Sequence, residues 1–401
     1  MKLLSTTSST LVALLFLVMT QNICSATEVS FPSLDNKLQL TGFWFAAAGA
    51  EKRPAIITLH GCDGVFDDKG RLGGAAIREA GYFNAEKMHL LVLDSFSARG
   101  IKRICETPNR NRTINEEDRR ADVFAAIRWL SQQPDVDATR IAIIGRSHGA
   151  QTVLSVMDRT DKFVRAQPIQ PRAAIALYPG CSDFKRMWNY EISAPLLLMS
   201  GELDNWTLAS ECEKLHDRVV REQKDADFRF HAFPGSYHAF DSTGPVHIMH
   251  DIGNLQDGTA TVGGNPEARE GSHRMTFDFL AEQFKQPLLL SHEQRFHLSS
   301  HRFVVPADTG FAKIDDVAAV PVKPEGHARF AYYLELPGPK AFVITEKGGW
   351  YFASESVNAM SIVFESCAKL NLKCWMYAVD NTVVWSKSPE ARLSADQLQI
   401  K

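Results

Sequence analysis

The stretch Ile141-Ala-Ile-Ile-Gly-Arg-Ser147-His-Gly149 decides the fold. Its β-branched residues predict a buried strand, and the apolar period of residues 150–157 predicts a helix directly after it. Between them stands Gly-x-Ser-x-Gly, which is typical of a sharp strand-to-helix turn whose glycines let two backbones pass closely. Such a turn exposes its serine at the carboxyl end of a sheet. The stretch therefore predicts a nucleophile, Ser147, in a mostly parallel sheet with helices on both faces.

A nucleophilic serine needs a base, and the base needs an acid that orients it. In α/β folds with this turn the chain order is Ser, then Asp or Glu, then His. Asp204 and His238 each stand just past a predicted strand, at the sheet edge where sites form. Singly, each would be interpreted as a turn or surface residue. Together with Ser147 they predict a catalytic triad, with Asp183 as the alternative acid.

The remaining part of such a site is a pair of backbone N–H groups that bind an oxyanion. His148 follows the serine and is expected to provide one of them. The predicted strand 55–59 runs into His60-Gly-Cys62-Asp-Gly64, and a glycine-bearing loop after an early strand is the usual second source. We expect the Cys62 amide there. An ordinary strand-to-helix turn is the alternative.

At these residues the chain resembles the dienelactone hydrolase family of α/β hydrolases, over about residues 28–285. Five motifs occur in the family's order: His60-Gly-Cys-Asp-Gly64, Asp94-Ser-Phe96 with Arg99-Gly100, Gly145-Arg-Ser-His-Gly149, Gly201-Glu-Leu-Asp-Asn-Trp-Thr207 and Tyr237-His-Ala-Phe240.

The resemblance implies an α/β-hydrolase fold and the same site residues: Ser147 as nucleophile, His238 as base, Asp204 as its partner, and the Cys62 and His148 amides as oxyanion donors. The founding members have a cysteine nucleophile and a glutamate after the early strand, where this chain has Ser147 and His60-Gly61. We therefore expect a more general carboxylic-ester hydrolase that acts on a small-molecule ester and needs no cofactor.

Two other functions are compatible with these residues. A serine peptidase of the prolyl-oligopeptidase type shares the fold and the triad order, but usually carries a large propeller domain upstream. Too few residues precede the predicted strand 55–59 for one. A non-catalytic binding protein on a hydrolase scaffold is the other alternative, although such a protein has no reason to retain all three triad residues.

The first residues predict export. A lysine, the apolar run 11–19 and the small residues of Cys24-Ser-Ala26 are typical of a cleaved signal peptide, assigned to residues 1–26; a buried helix is the alternative. We expect a periplasmic or secreted protein without a membrane span. The net charge of −3 is spread over interspersed acidic and basic residues, which argues against a nucleic-acid partner.

Beyond residue 26 the chain has an even number of cysteines, which in an exported protein suggests disulfides. Two follow neighbouring predicted strands, two flank one strand, and two join a helix to a strand. We expect the pairs Cys62 with Cys105, Cys181 with Cys212, and Cys367 with Cys374. Buried free thiols are the alternative if the chain is not exported.

The length of the chain predicts two domains. We assign residues 27–287 to the hydrolase domain, 288–322 to a connector with some strand content, and 323–401 to a small α+β accessory domain. Because the last segment has neither a nucleophile turn nor a phosphate-binding loop, we expect it to serve packing or protein interaction.

Two expectations concern the surroundings of the site. His247-Ile-Met-His250-Asp251 contains three potential metal ligands in a predicted loop, but without a second cluster such side chains are usually solvated, and we predict no metal. The walls of the substrate pocket are expected to come from residues 185–191 and 242–264.

Overall fold

The computed structural model describes residues 26–400, and of Lys185 only the backbone. The predicted signal peptide, residues 1–26, lies outside the described residues except for its last position. The described chain forms one large sheet with helices on both faces, a short hairpin, and a separate antiparallel sheet at the carboxyl end.

The large sheet has eight strands in the order β1-β2-β4-β3-β5-β6-β7-β8. The first two strands pair antiparallel, β2 also pairs antiparallel with β4, and every later neighbour is parallel. The strands are Thr27–Pro32 (β1), Gln39–Phe45 (β2), Arg53–Leu59 (β3), His89–Asp94 (β4), Val136–Arg146 (β5), Ala173–Leu177 (β6), Leu196–Gly201 (β7) and Phe228–Phe233 (β8).

Helices connect the parallel strands and cover both faces. They are Gly74–Ala85 (α1), Glu116–Ser131 (α2), His148–Met157 (α3), Lys162–Arg165 (α4), Ser182–Arg186 (α5), Ala209–Glu222 (α6) and Pro266–Phe284 (α7). Three of them begin at side-chain caps. The Asn115 side chain accepts from the Asp118 N–H at the start of α2, Asp161 accepts from the Phe163 N–H at the start of α4, and Asn265 caps α7 before a first-turn proline.

The core consists of two apolar layers, one on each face of the sheet. Side chains of α2, α3 and α6 pack on one face, and those of α1 and α7 pack on the other. Strands β4, β6 and β7 are buried along their whole length, which explains why their sequences are continuous apolar runs rather than alternating ones.

Residues 247–251 are not the loop that the sequence suggests. His247–Met249 (β9) pairs antiparallel with Ala260–Val262 (β10), and a bridge joins Val262 to His238. The pairing provides partners for backbone groups that a loop would leave to solvent. The hairpin is therefore joined to the segment after β8 that carries His238.

The carboxyl-terminal sheet has the order β12-β11-β13-β14, all antiparallel. Its strands are Ala341–Thr345 (β11), Trp350–Ala353 (β12), Cys374–Val379 (β13) and Thr382–Val383 (β14); its helices are Pro324–Glu335 (α9) and Ala359–Lys369 (α10), after His292–Phe296 (α8) in the connector. Short 3-10 turns lie at Ser97–Arg99, Asn109–Asn111, Val317–Ala319 and Pro389–Ala391.

The expected strand content of the connector is wrong. Residues 288–322 contain α8 and one 3-10 turn but no strand. Phe303 and Val305 pack on one apolar cluster of the carboxyl-terminal sheet, and Phe311 and Ile314 pack on the other. These side chains favour strands, but here they pack on the sheet from an irregular backbone. Local strand propensity does not distinguish the two cases.

Three disulfides join the six cysteines in the pairs expected from the sequence. The Cα–Cα distances are 4.9 Å for Cys62–Cys105, 5.0 Å for Cys181–Cys212 and 6.3 Å for Cys367–Cys374. Such a set is typical of proteins in oxidising compartments. Across residues 26–400, no helix is long and apolar enough to cross a bilayer.

Candidate active site

Ser147 lies at the sharp turn between β5 and α3, with φ 52° and ψ −119°, a strained conformation for a residue with a Cβ. Glycine is required on both sides of Ser147, because other backbone atoms lie too close to these positions for a side chain. A methyl group on Gly145 would lie 2.2 Å from the Gly149 oxygen, and one on Gly149 would lie 2.3 Å from the Leu59 oxygen. The Ser147 N–H donates to the Leu177 oxygen at 3.0 Å, which holds the turn against β6.

The structure brings the three predicted triad residues together. His238 Nε2 lies 3.0 Å from Ser147 Oγ, and His238 Nδ1 lies 2.8 Å from Asp204 Oδ2. His238 and Asp204 are both about 3% exposed. They meet because β5, β7 and β8 are parallel, so the loops that follow them open at the same edge of the sheet.

The Asp204 carboxylate is held by its own loop. Oδ1 accepts hydrogen bonds from the N–H groups of Trp206 and Thr207, each at 2.8 Å. The Thr207 hydroxyl lies 2.9 Å from Oδ2 and 3.1 Å from His238 Nδ1. Rings of Trp206 and Tyr178 pack on the imidazole, each with a centroid distance of 4.7 Å. These contacts leave the carboxylate and the imidazole little freedom to rotate.

The two predicted oxyanion donors lie on either side of Ser147. Within the part of the chain that the structure describes, neither the Cys62 N–H nor the His148 N–H has a protein acceptor, so both are available to a ligand. The Cys62 loop is tied to residues 104–105, because the Ile104 N–H donates to the Cys62 oxygen at 2.7 Å and the disulfide joins Cys62 to Cys105.

Arg119, on α2, is a site residue that the sequence did not indicate. It has no exposed surface, Nη2 donates to the His60 oxygen, and Nη1 lies against His148 Nδ1, both at 2.7 Å. Burial lowers the pKa of Arg119 to about 10, so it remains a cation at neutral pH. Burial and the Arg119 charge hold the pKa values of His60 and His148 well below their usual range, so both imidazoles are neutral.

A second, half-buried cluster of charged residues surrounds Arg146 of the turn. Arg146 is paired with Glu79 and with Asp241, whose Oδ1 accepts from the Tyr178 hydroxyl at 2.7 Å. Burial disfavours the charged guanidinium, but the two carboxylates outweigh it and raise the pKa of Arg146 well above its usual value. The sequence shows Arg146 inside Gly-x-Ser-x-Gly. It does not indicate which residues pair with Arg146, because both partners are 67 or more residues away in the chain.

These elements surround a cavity of about 410 Å³ that reaches Ser147 and His238. Its walls are residues 58–67, the start of α1, Trp206, and Met249 and Val262 of the hairpin. The expected wall at 242–264 is therefore partly present. The expected wall at 185–191 is wrong, because none of these residues lines the cavity and the Met187 oxygen accepts a hydrogen bond from Arg218 of α6.

Two other candidates lie away from this centre. Asp183, the alternative acid, is 85% exposed on its helix and pairs with Arg186 at 3.5 Å. His247 and His250 are exposed, and residues 26–400 contain no group of three side chains arranged to hold a metal ion.

An eight-stranded, mostly parallel sheet with a Ser–His–Asp cluster at its carboxyl edge defines an α/β hydrolase. The sequence model of the dienelactone hydrolase family matches residues 40–284, more than half of the chain, and the chain belongs to that family. A lactone is a cyclic ester, and the protein is a carboxylic-ester hydrolase.

Solved structures of an esterase from Thermogutta terrifontis are similar to this chain. Esterase 2 phosphoramylated by tabun is 16% identical, with a TM-score of 0.46, over 67% of this chain and 97% of that one. The butyrate-bound form is 16% identical, with a TM-score of 0.45, over 64% and 94%. A comparison with curated proteins finds no match.

Proposed function

We propose that the protein is an exported serine esterase in which Ser147, His238 and Asp204 act as a triad through an acyl-enzyme. The observation that supports this most directly is the 3.0 Å contact between Ser147 Oγ and His238 Nε2 at the strained turn. A base within hydrogen-bond reach of an exposed hydroxyl is the first requirement of nucleophilic catalysis.

In the first step His238 Nε2 takes the Ser147 proton while Oγ attacks the ester carbonyl carbon. The resulting oxyanion accepts hydrogen bonds from the Cys62 and His148 amides, and loss of one such donor typically costs about 3 kcal/mol. The intermediate collapses as the carbon–oxygen bond to the alcohol breaks. His238 donates its proton to the departing alkoxide, which leaves an acylated serine.

In the second step a water molecule takes the place of the alcohol. His238 removes a proton from the water, the hydroxide attacks the acyl carbon, and Ser147 Oγ leaves with the proton that His238 returns. Asp204 accepts the N–H of His238 Nδ1 throughout, so it selects the reactive tautomer and stabilises the imidazolium.

The test is Ser147→Ala assayed on 4-nitrophenyl butyrate. The variant should fold normally, and kcat should fall by a factor on the order of 10⁴ or more. Ser182→Ala, at an exposed serine, is the matched control and should keep full activity. Wild-type protein should gain one phosphonyl group from a fluorophosphonate probe, and Ser147→Ala should gain none. Turnover by Ser147→Ala near the wild-type rate would refute the assignment.

The same reagents separate the two alternative functions. A peptidase would cleave peptide amides as well as the matched esters, whereas an esterase would cleave the esters alone. The described residues contain an eight-stranded, a two-stranded and a four-stranded sheet, none of which is a propeller. A non-catalytic binding protein would not react with the probe.

The predicted export and domain division are part of the proposal. The three disulfides support an oxidising compartment. For residues 323–401 we propose a packing role. Glu365 pairs with Lys69 at 2.8 Å, and Arg302 of the connector donates to the Leu72 oxygen at 2.6 Å. Lys69 and Leu72 lie between the pocket-lining residues 67 and 73. We therefore propose that the connector and the accessory domain together support that wall.

A further inference from the structure

The cavity contains one carboxylate that the mechanism does not use. Asp63 directly follows the proposed oxyanion donor Cys62, and its side chain is exposed to the cavity. A methyl group on Gly61 would lie 2.9 Å from Asp63 Oδ1 and 3.6 Å from Ser147 Cβ, so the carboxylate and the serine are neighbours across that glycine. Any ester attacked by Ser147 therefore lies close to Asp63.

The other charged groups of the cavity wall are already paired. Asp67 binds Arg71 at 3.0 Å, and Glu79 binds Arg146. Among residues 26–400, no lysine, arginine or histidine forms an ion pair with Asp63. Arg146, the one arginine of the wall, is shared with Asp241, so the cavity offers no free cation to a substrate carboxylate.

Two arginines outside the wall and His238 in the wall influence Asp63 from a distance, and all three have other partners. Arg103 is paired with Glu106. Arg119 donates to the His60 oxygen, and its charge also interacts with Asp122. The protein around the Asp63 carboxylate displaces part of its hydration, and this desolvation raises its pKa. A cation bound beside the carboxylate would favour its ionised form.

Aromatic rings complete the surroundings. Trp206, Tyr178 and Phe66 line the same cavity, and Phe66 is 41% exposed. The faces of such rings attract ammonium groups, and the attraction adds to that of a nearby carboxylate. An unpaired carboxylate and an exposed aromatic ring in one cavity are the groups that recognise an organic cation.

We propose that the substrates of this hydrolase are esters that carry an ammonium group, that Asp63 binds this group, and that esters with a free carboxylate are poor substrates. The proposal rests on the proposed function, because it places the cation next to Ser147. It makes Asp63 a specificity-determining residue.

The test compares substrates that differ only in charge. One pair carries the charge in the alcohol: 2-(trimethylammonio)ethyl butyrate and its carbon isostere 3,3-dimethylbutyl butyrate. The other carries it in the acid: 4-nitrophenyl 4-(trimethylammonio)butanoate and 4-nitrophenyl 5,5-dimethylhexanoate. In at least one pair the wild-type kcat/KM should favour the cation by about 10- to 100-fold, the preference expected for one close carboxylate at moderate dielectric.

The readout is the ratio of kcat/KM within a pair, because a change beside Cys62 that disturbs the chemistry lowers both rates together. Asp63→Asn should bring the ratio to about one. Asp68→Asn is the matched control: it removes the same charge from the same loop, but Asp68 is exposed and does not line the cavity. That variant should keep the wild-type ratio.

A ratio near one in both pairs for the wild type, or a preference that survives Asp63→Asn, overturns the proposal. If the wild type hydrolyses none of the four esters, the proposed function fails instead. Calorimetry then tests Asp63 separately: choline should bind more tightly than 3,3-dimethylbutan-1-ol, and Asp63→Asn should abolish the difference. Equal binding of the two alcohols would also refute the Asp63 site.

Discussion

The guanidinium of Arg119 donates to the carbonyl oxygen of His60 at 2.7 Å, although the two residues are 59 positions apart in the chain. The same side chain lies 2.7 Å from Nδ1 of His148, so it connects the two segments that carry the proposed oxyanion donors. No carboxylate forms a close ion pair with it in the described chain, although Asp122 and Glu116 interact with its charge at longer range. We therefore infer that Arg119 is a positioning residue for the proposed oxyanion site.

Arg119→Lys should therefore lower kcat by about 10- to 100-fold and change KM little, because a single ammonium cannot bind both segments in the required geometry. Arg120→Lys, at the next position of α2, is the matched control and should keep its half-buried pair with Asp161 and its activity. Steady-state kinetics and thermal unfolding of both variants provide the check. Equal kcat in the two variants would show that Arg119 serves stability alone.

Thr207→Val should reduce kcat about fivefold, because the substitution keeps the shape of the side chain but removes the hydroxyl beside Asp204 and His238. Thr207→Ser restores the hydroxyl and should return most of the activity. Single-turnover acylation by a 4-nitrophenyl ester measures the effect on the chemical step. Equal rates for the valine and serine variants would contradict a role for the hydroxyl.

The disulfide Cys62–Cys105 should influence both stability and turnover. It closes a loop with a sequence separation of 43, which the chain-entropy model relates to about 4 kcal/mol of unfolding free energy. Replacement of both cysteines by serine should lower that free energy and also kcat, because the Cys62 amide loses its tether. Urea unfolding and steady-state assays measure the two effects.

The matched control is the double serine variant at Cys367 and Cys374, which lie in the accessory domain. It should lose stability, since the bond constrains the unfolded chain, but keep kcat at temperatures where it stays folded. A comparable loss of kcat in both double variants would mean that turnover reports on general destabilisation rather than on the oxyanion loop.

His273 should make the fold sensitive to acid. Burial, together with the charges of Arg295 and His292, lowers its pKa to about 3. The unfolded chain binds a proton near pH 6.5 and the folded chain does not, so the free energy of unfolding falls as the pH decreases from about 6.5 towards about 3. The expected loss from this group is about 3 kcal/mol at about pH 4.5.

His273→Phe should remove much of this loss, because the ring already packs among Tyr82, Phe277 and Phe296. Denaturant unfolding of wild type and variant at about pH 7.5 and about pH 4.5 provides the measurement. His247→Gln, at an exposed histidine, should behave like the wild type. An identical acid response of all three proteins would contradict the prediction.

The sequence determined those features that contiguous residues control. The apolar runs at 141–144 and 196–199 specify strands buried on both faces, and the glycines around Ser147 specify a turn in which a Cβ would overlap backbone atoms. Because the strands are parallel, their carboxyl ends meet at one edge of the sheet. This alone predicts that Asp204 and His238 lie near the turn.

Only the tertiary structure decided which distant groups share a pocket. Arg119 and Asp63 occur in segments whose local pattern is that of any charged helix or loop. The connector and the hairpin at residues 247–262 also obtained their conformations from contacts with elements far along the chain. The physical reason is that periodicity and sterics act between sequence neighbours, whereas burial, ion pairing and cavity shape depend on which elements come together in space.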